Sequence, residues 1–202
     1  MSGELNDYLA YFNRSFAEIL APVAKGKAQE LAARLIDKFK SVEGALCAQV
    51  SDLNKCVGEK VAMYLKTVAA VTSRRITDLF EFGIPHTKAE VADYFIGLYL
   101  PEEVEKTAVM LKDENDAVIE CKMLFVGTVN ASDILPRKIV EAALSRGSRK
   151  IVIAHNHPRG AAVPSEEDKT LTVGIRDLLS MVGITLEYHV VVAGMEANTV
   201  EI

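Results

Sequence analysis

Two histidines, a serine and an aspartate follow one another closely in this sequence, as His155, His157, Ser165 and Asp168. Imidazole nitrogens and carboxylate oxygens are ligands that Zn²⁺ binds in hydrolytic enzymes. Two imidazoles and one carboxylate leave a fourth position for water, which is typical of a catalytic zinc site rather than a closed structural one. Such an ion lowers the pKa of its water to about 7, but a nearby general base must still move protons. The pattern therefore indicates hydrolytic chemistry.

A short strand is predicted to position the two histidines. Residues 151–154 form an apolar, β-branched run, and Pro158 ends the strand. Because alternate residues of an extended chain point to the same side, His155 and His157 can converge on one ion while Asn156 points away. A His-x-His pair by itself is more often structural than metal-binding, so the interpretation depends on the rest of the pattern.

A helix is predicted to present the aspartate. Ser165 is a suitable N-cap for a helix that begins at Glu166, and acidic residues in the first turn are favoured by the helix dipole. Asp168 would then lie at a rigid helix start, able to face back toward the histidines. Taken alone, Ser165 would be interpreted as a helix cap only, and it can serve as both a cap and a site residue.

The spacing His-x-His-x7-Ser-x2-Asp resembles the JAMM motif of MPN-domain metalloproteases. Within that superfamily the chain is similar to the bacterial RadC-type branch. The signature His-Asn-His-Pro-x-Gly of that branch matches residues 155–160, and its Pro-Ser-x-x-Asp matches residues 164–168. The resemblance covers residues 102–202. Three further blocks agree with it in order and spacing, namely residues 127–130, 136–137 and 188–192.

The resemblance implies a role for each site residue. His155, His157 and Asp168 would bind Zn²⁺ as the cofactor. Glu105 would activate the water and then protonate the leaving amine. Ser165 would donate a hydrogen bond to the developing oxyanion. Together these roles describe amide or isopeptide hydrolysis without a covalent intermediate.

The general base is assigned by its position before a strand. The catalytic glutamate of the family opens the first strand of the domain, and the matching position here is Glu105, ahead of residues 107–111. Glu102 and Glu103 are near enough in sequence to be alternatives. Without the resemblance, Glu105 would be interpreted as one solvated carboxylate in an acidic cluster. His189, on a later strand, is predicted to be a buried, hydrogen-bonded histidine rather than a ligand.

Strand and helix patterns alternate after residue 102 and predict an α/β sandwich. The resemblance implies an MPN fold, which is cytidine-deaminase-like and belongs to the α+β or α/β class, with a mixed, curved sheet flanked by helices. The order of the strands does not follow from periodicity. The predicted strands cover residues 107–111, 118–126, 150–154 and 185–192, and the predicted helices cover residues 136–146 and 166–182.

The first part of the chain has a different pattern, in which apolar residues recur at helical spacing from Leu5 onward. We expect residues 1–84 to form a small all-α domain. Residues 85–101 are predicted to be a linker helix, and residues 102–202 are predicted to be the RadC-type JAMM/MPN metalloprotease domain.

The helical domain resembles the N-terminal domain of RadC-type proteins, with a degenerate helix-hairpin-helix unit around residues 53–62. Such hairpins bind phosphates through exposed backbone amides. Here Cys56 occupies the first glycine position, and only Gly58 remains. Residues 1–100 contain twelve Lys and Arg and twelve Asp and Glu, so they offer no basic excess to neutralise DNA phosphates. DNA binding is therefore the weaker hypothesis, and a structural or protein-contact role is the alternative.

Composition predicts a soluble cytoplasmic protein without a membrane partner. The net charge is −5 and 50% of the residues are apolar, which is enough to form a core. Neither a signal-peptide pattern nor an apolar run long enough to span a membrane is found in the sequence. The three cysteines form no CxxC pair and are odd in number, which favours reduced thiols.

Two classes of function are consistent with these patterns. The leading hypothesis is a zinc metallopeptidase that cleaves a peptide or isopeptide bond in a peptide or modified-protein substrate. The alternative is a DNA-associated, repair-type protein whose helical domain binds DNA and whose metal site is accessory or nuclease-like. Filter binding at two salt concentrations would separate them, since DNA binding weakens steeply with salt. The sequence predicts neither the substrate nor the oligomeric state.

Overall fold

The structure, a computed structural model, describes residues 15–127 and 134–200. The chain divides into two compact units, with the division between Thr72 and Ser73. Among the described helices, none is both long and apolar enough to cross a membrane. The start of the helix predicted from Leu5, and residues 128–130 of the block matched above, lie outside the described residues. The domain boundaries at residues 84 and 101 stay predictions.

The first unit is helical, as its periodicity predicts. Residues 15–20 are helical, and the core of the unit contains the fully buried side chains of Leu20, Leu35, Leu53 and Leu65. Each of these leucines lies in a different helix, and each helix turns one apolar face inward. The helices that follow are α1 (Ala28–Phe39), α2 (Val42–Cys47), α3 (Val50–Val57) and α4 (Glu59–Asp78), the last of which continues into the second unit.

The predicted hairpin in residues 53–62 is present as two helices joined at one glycine. Gly58 has φ +81°, which is in the left-handed region that favours glycine. Its N–H donates to the carbonyl of Asn54 at the end of α3, and its carbonyl accepts from Ala62 at the start of α4. Leu53 and Ala62 are fully buried, so the sharp turn allows both helices to contribute to one core.

The second unit contains a five-stranded sheet in the order β2-β1-β3-β4-β5. Neighbouring strands are antiparallel except for β3 and β4, which are parallel and connected through a helix. The elements are α5 (Lys88–Tyr99), β1 (Lys106–Lys112), β2 (Val118–Val126), α6 (Ile134–Ser145), β3 (Lys150–Asn156), α7 (Glu166–Met181), β4 (Thr185–Ala193) and β5 (Glu196–Val200).

Helices cover both faces of this sheet, which confirms the predicted α/β sandwich. On β1, Ala108 and Met110 belong to the core cluster that includes Phe95 of α5. Their neighbours Val109 and Leu111 belong to the opposite cluster, with residues of α6 and α7. Since strand side chains alternate between faces, a strand buried on both sides is continuously apolar. The sequence of β1 shows this pattern.

Two features of the sheet differ from the sequence-based prediction. The patterns above do not predict β5, because this edge strand exposes Glu196, Asn198 and Thr199 and has little apolar alternation to reveal it. In addition, β3 extends to Asn156 rather than ending at Ala154. Its last residues pair with Val191 and Val192 of β4, so they are held by the sheet although their side chains are polar.

Candidate metal centre

Three side chains predicted to bind a metal ion lie together at the end of β3. Nε2 of His155 lies 3.0 Å from Nε2 of His157 and 3.1 Å from Oδ1 of Asp168. Nε2 of His157 lies 3.7 Å from Oδ2 of the same carboxylate. Tetrahedral Zn²⁺ with bonds of about 2.0–2.1 Å separates its ligand atoms by roughly 3.3 Å. The donor types and their spacing therefore fit one zinc ion.

The sheet fixes the two histidines. His155 pairs with Thr107 of β1 on one side and with Val191 of β4 on the other, and its side chain is buried. The N–H of His157 donates to the carbonyl of Val192 at 2.7 Å, which continues the hydrogen bonding to β4 for one residue beyond β3. With both backbones held, alternation directs the two rings to one side.

The aspartate is oriented by a capping box at the start of α7. The hydroxyl of Ser165 accepts a hydrogen bond from the N–H of Asp168 at 3.1 Å. In return, Oδ2 of Asp168 accepts from the N–H of Ser165 at 2.8 Å and from its hydroxyl at 2.7 Å. This reciprocal pair confirms the predicted N-cap and holds the carboxylate so that Oδ1 faces His155.

The hydrogen bonds of His189 and Thr172 set the tautomer of His155. The hydroxyl of Thr172 donates its hydrogen to the backbone carbonyl of Asp168, so Nδ1 of His189, 2.7 Å from that hydroxyl, must donate to it. In neutral His189 the other nitrogen, Nε2, then accepts from Nδ1 of His155 at 2.8 Å. Nε2 of His155 is left with a lone pair directed at the cluster, which is the form that binds a metal.

A separate hydrogen bond sets the tautomer of His157. Its Nδ1 lies 3.0 Å from the carbonyl of Ala161. Because a carbonyl oxygen can only accept, Nδ1 carries the hydrogen and Nε2 has the free lone pair. Both imidazoles therefore present an unprotonated Nε2 to the cluster.

Burial and hydrogen bonding favour the charge states that a zinc site needs. Burial and, to a smaller extent, the adjacent His155 lower the pKa of His189 to about 3, so His189 is neutral. Burial raises the pKa of Asp168, but the adjacent His155 and the hydrogen bonds from Ser165 more than offset this and hold the pKa well below its ordinary value. The cluster thus combines an ionised carboxylate with a neutral supporting imidazole.

A cavity of about 470 Å³ opens beside the cluster. Its lining includes Glu105 and Thr107 from the β1 side, Ser165 from the start of α7, and Gly127 after β2. Ile153, Leu171 and Ile175 add apolar surface to the lining. A cavity of this volume is in the range of small-ligand sites, and the three side chains of the cluster form part of its wall.

The three candidate bases differ in what they contact. Glu105 is partly buried and lines the cavity. Glu102 instead forms an ion pair with Lys106. Among the described residues, neither Glu102 nor Glu103 lines the cavity. Of the three, Glu105 is therefore the one that shares this cavity with His155, His157 and Asp168.

Sequence reasoning did not identify Thr172 as a site residue. Its position four residues after Asp168 places the two on one face of α7, which is a signal that the sequence contains. The sequence does not show that β4 lies beside β3. This pairing places His189 opposite Ile153, near the site. His189 was predicted to be a buried, hydrogen-bonded histidine, and the structure confirms this.

Replacing Thr172 by valine is expected to weaken zinc binding by about 10–100-fold, the usual effect of losing a group that supports a metal ligand. The change keeps the shape but leaves Nδ1 of His189 without its partner. Thr170→Val is the matched control, since Thr170 makes the same kind of bond to the carbonyl of Glu166 on the exposed side of α7. Chelator competition would measure both affinities, and equal losses in the two variants would contradict the role of Thr172.

Comparison with known proteins identifies the family. The family model described as "RadC-like JAB domain" matches residues 85–200. A UPF0758 protein of Janthinobacterium sp. (strain Marseille) is 30% identical over 186 residues, which cover 88% of this chain and 83% of the relative. A UPF0758 protein of Shewanella frigidimarina (strain NCIMB 400) is 30% identical over 190 residues, covering 90% and 84%. One of Vibrio cholerae serotype O1 (strain ATCC 39315 / El Tor Inaba N16961) is 30% identical over 169 residues, covering 82% and 75%. The chain therefore belongs to the RadC-like JAB domain family.

Proposed function

We propose that this protein is a zinc-dependent metallohydrolase that cleaves peptide or isopeptide bonds with a metal-activated water. The observation that carries the proposal is the shared cavity, in which Glu105 lies with a cluster of two imidazoles and one carboxylate. A three-ligand set with a carboxylate nearby is the arrangement that hydrolytic zinc sites use. Membership in a JAB domain family is consistent with this chemistry.

The chain would hold the ion through Nε2 of His155, Nε2 of His157 and the carboxylate of Asp168. When bound, Zn²⁺ would supply Lewis-acid polarisation of the scissile carbonyl and of the attacking water. Two neutral imidazoles and one carboxylate leave a net charge of about +1 with a divalent ion, which favours the negative charge that develops on the carbonyl oxygen.

Glu105 would move the protons. Its carboxylate takes a proton from the water as the water oxygen bonds to the carbonyl carbon, and then delivers that proton to the amine nitrogen as the C–N bond breaks. This transfer first leaves a carboxylic acid and an amine. The proton of the new carboxylic acid then passes to the amine, so the products are a carboxylate and an ammonium ion, and Glu105 ends unprotonated.

Ser165 would assist by donating a hydrogen bond to the developing oxyanion. It lines the cavity, but its hydroxyl donates to Oδ2 of Asp168. Rotation of that hydroxyl toward the substrate is therefore part of the proposed role. The capping bond from the N–H of Asp168 to the Ser165 oxygen can persist during the rotation, because that bond uses a lone pair and not the hydroxyl hydrogen.

Metal removal tests the proposal directly. We expect the purified protein to contain about one zinc per chain and to hydrolyse peptide or isopeptide-linked substrates. Chelation should abolish hydrolysis, and added Zn²⁺ should restore it while Mg²⁺ does not, because the imidazole-rich set suits zinc. Elemental analysis and a fluorogenic assay on the same samples measure both quantities. Hydrolysis that survives complete loss of the metal would refute the proposal.

The DNA-associated alternative has less support. The hairpin at Gly58 leaves that glycine and its neighbours Glu59 and Lys60 exposed, but the charges of residues 1–100 balance. We retain the peptidase proposal because its chemistry is carried by a defined cluster of side chains. We also infer a cytoplasmic location, because all three cysteines are free and the cytoplasm keeps thiols reduced.

A further inference from the structure

The side chain between the two histidines contacts the backbone on both sides of Glu105. Asn156 is 3% exposed and, by strand alternation, points to the face opposite to His155 and His157. Its Oδ1 accepts from the N–H of Lys106 at 2.7 Å, and its Nδ2 donates to the carbonyl of Val104 at 3.1 Å. One amide group therefore bridges the two residues that flank Glu105.

The hydrogen bonds of Asn156 begin where the backbone pairing of β1 with β3 ends. The backbone pairing of β1 with β3 ends at Thr107 and His155, so the chain before Thr107 lacks the regular ladder bonds that would hold it against β3. The carboxamide of Asn156 presents one donor and one acceptor in a fixed orientation, as a backbone peptide group does. It therefore replaces the missing ladder bonds at residues 104 and 106.

A third hydrogen bond completes the restraint. The carbonyl of Glu105 accepts from the N–H of Gly127, after the end of β2, at 2.7 Å. Asn156 thus holds the backbone groups of Val104 and Lys106, and Gly127 holds that of Glu105. The side chain of Glu105 starts from a fixed Cα position at the cavity wall.

We propose that Asn156 is a positioning residue that holds Glu105 at the distance from the metal cluster that proton transfer requires. This inference rests on the proposed function, because it concerns how the base of that reaction is placed. A general base must lie within hydrogen-bonding reach of the water, and a displacement of about 1 Å can cost about 100-fold in rate. In the His-Asn-His sequence, the two histidines would then bind the metal ion, and Asn156 would hold the backbone of the general base.

The test replaces Asn156 by aspartate. The carboxylate can still accept from Lys106 but cannot donate to Val104, so two acceptors face each other. We expect kcat to fall about tenfold or more, with KM and zinc affinity within about twofold of wild type, as for a group that acts on the chemical step only. Exchange of the Lys106 amide hydrogen should also become faster, which is measurable without any substrate.

Two further variants make the result specific. Asn156→Ala removes both contacts without adding charge and should show the same loss of kcat, so the conclusion does not depend on one substitution. Asn198→Asp is the matched control, because the Nδ2 of Asn198 also donates to a backbone carbonyl, that of Ala162 at 2.8 Å, away from Glu105. It should retain wild-type kcat within about twofold, since it leaves the chemical step untouched.

A double-mutant cycle separates positioning from general support. If Asn156 acts through Glu105, then Asn156→Asp should cost little in a Glu105→Gln background. Equal losses in both backgrounds, or a loss explained by weaker zinc binding, would overturn the positioning role. An active wild type with an equally active Asn156→Asp variant would overturn it as well. A wild-type protein that binds zinc but hydrolyses no amide substrate would instead overturn the proposed function.

Discussion

Glu105→Gln is expected to lose hydrolysis by about 10²–10⁴-fold while retaining its zinc, the range that a positioned general base contributes. Glutamine has nearly the same shape but cannot accept and return a proton at the water. The three predicted ligands lie on β3, just after it, and at the start of α7, so the substitution leaves them in place. Zinc per chain and kcat, measured on one preparation, give the two quantities.

The neighbouring glutamates supply the controls for this variant. Glu103→Gln should remain close to wild type in kcat. Glu102→Gln removes the ion pair with Lys106, so a small loss of stability is expected there, but without a large loss of turnover. If Glu105→Gln keeps wild-type activity, the assignment of the base is wrong. A large loss in Glu103→Gln alone would move the role to that residue.

His155→Ala is expected to weaken zinc binding by more than about 100-fold, beyond the 10–100-fold typical of losing a group that only supports a ligand. The imidazole is the most central of the three, since its Nε2 lies within 3.1 Å of both other groups. Its loss also leaves Nε2 of His189 without a partner in the interior, which costs about 1–3 kcal/mol of folding stability.

Thermal unfolding with and without zinc separates these two effects. Wild type should show a higher Tm in excess zinc because the ion binds the folded state, whereas His155→Ala should start lower and gain little. His86→Ala is a suitable control, since this histidine stacks on Phe80 and contacts the carbonyl of Glu81. It should lose stability yet keep the zinc-dependent gain. An equal gain in His155→Ala would rule this residue out as a ligand.

The parts of the site that the sequence predicts are those built from short-range geometry. His155 and His157 share a side because strands alternate, and Ser165 faces Asp168 because helix caps follow a fixed spacing. The strands and helices that carry them also follow from periodicity, apart from β5. These relations need no knowledge of how distant segments pair.

The remaining parts depend on pairing between distant segments. Glu105 reaches the cavity only because β1 lies beside β3, and the bond from Lys106 to Asn156 joins residues 50 positions apart. The contact of His189 with His155 spans 34 positions and needs the parallel pairing of β3 with β4. Periodicity gives the existence of each strand but not its neighbours, so only resemblance to a family pointed to Glu105.

The two oxygens of Asp168 make different contacts, and this limits the residue types that could replace it. Oδ2 completes the cap of α7 through Ser165, while Oδ1 faces His155. A glutamate could complete the cap, as Glu90 does with Thr87 at the start of α5, but its longer side chain would move the carboxylate from the position that faces His155. An asparagine could cap the helix but carries no charge to offset that of a bound zinc ion. The side chain at this position would therefore have to serve both helix capping and metal binding, and glutamate or asparagine would serve only the first.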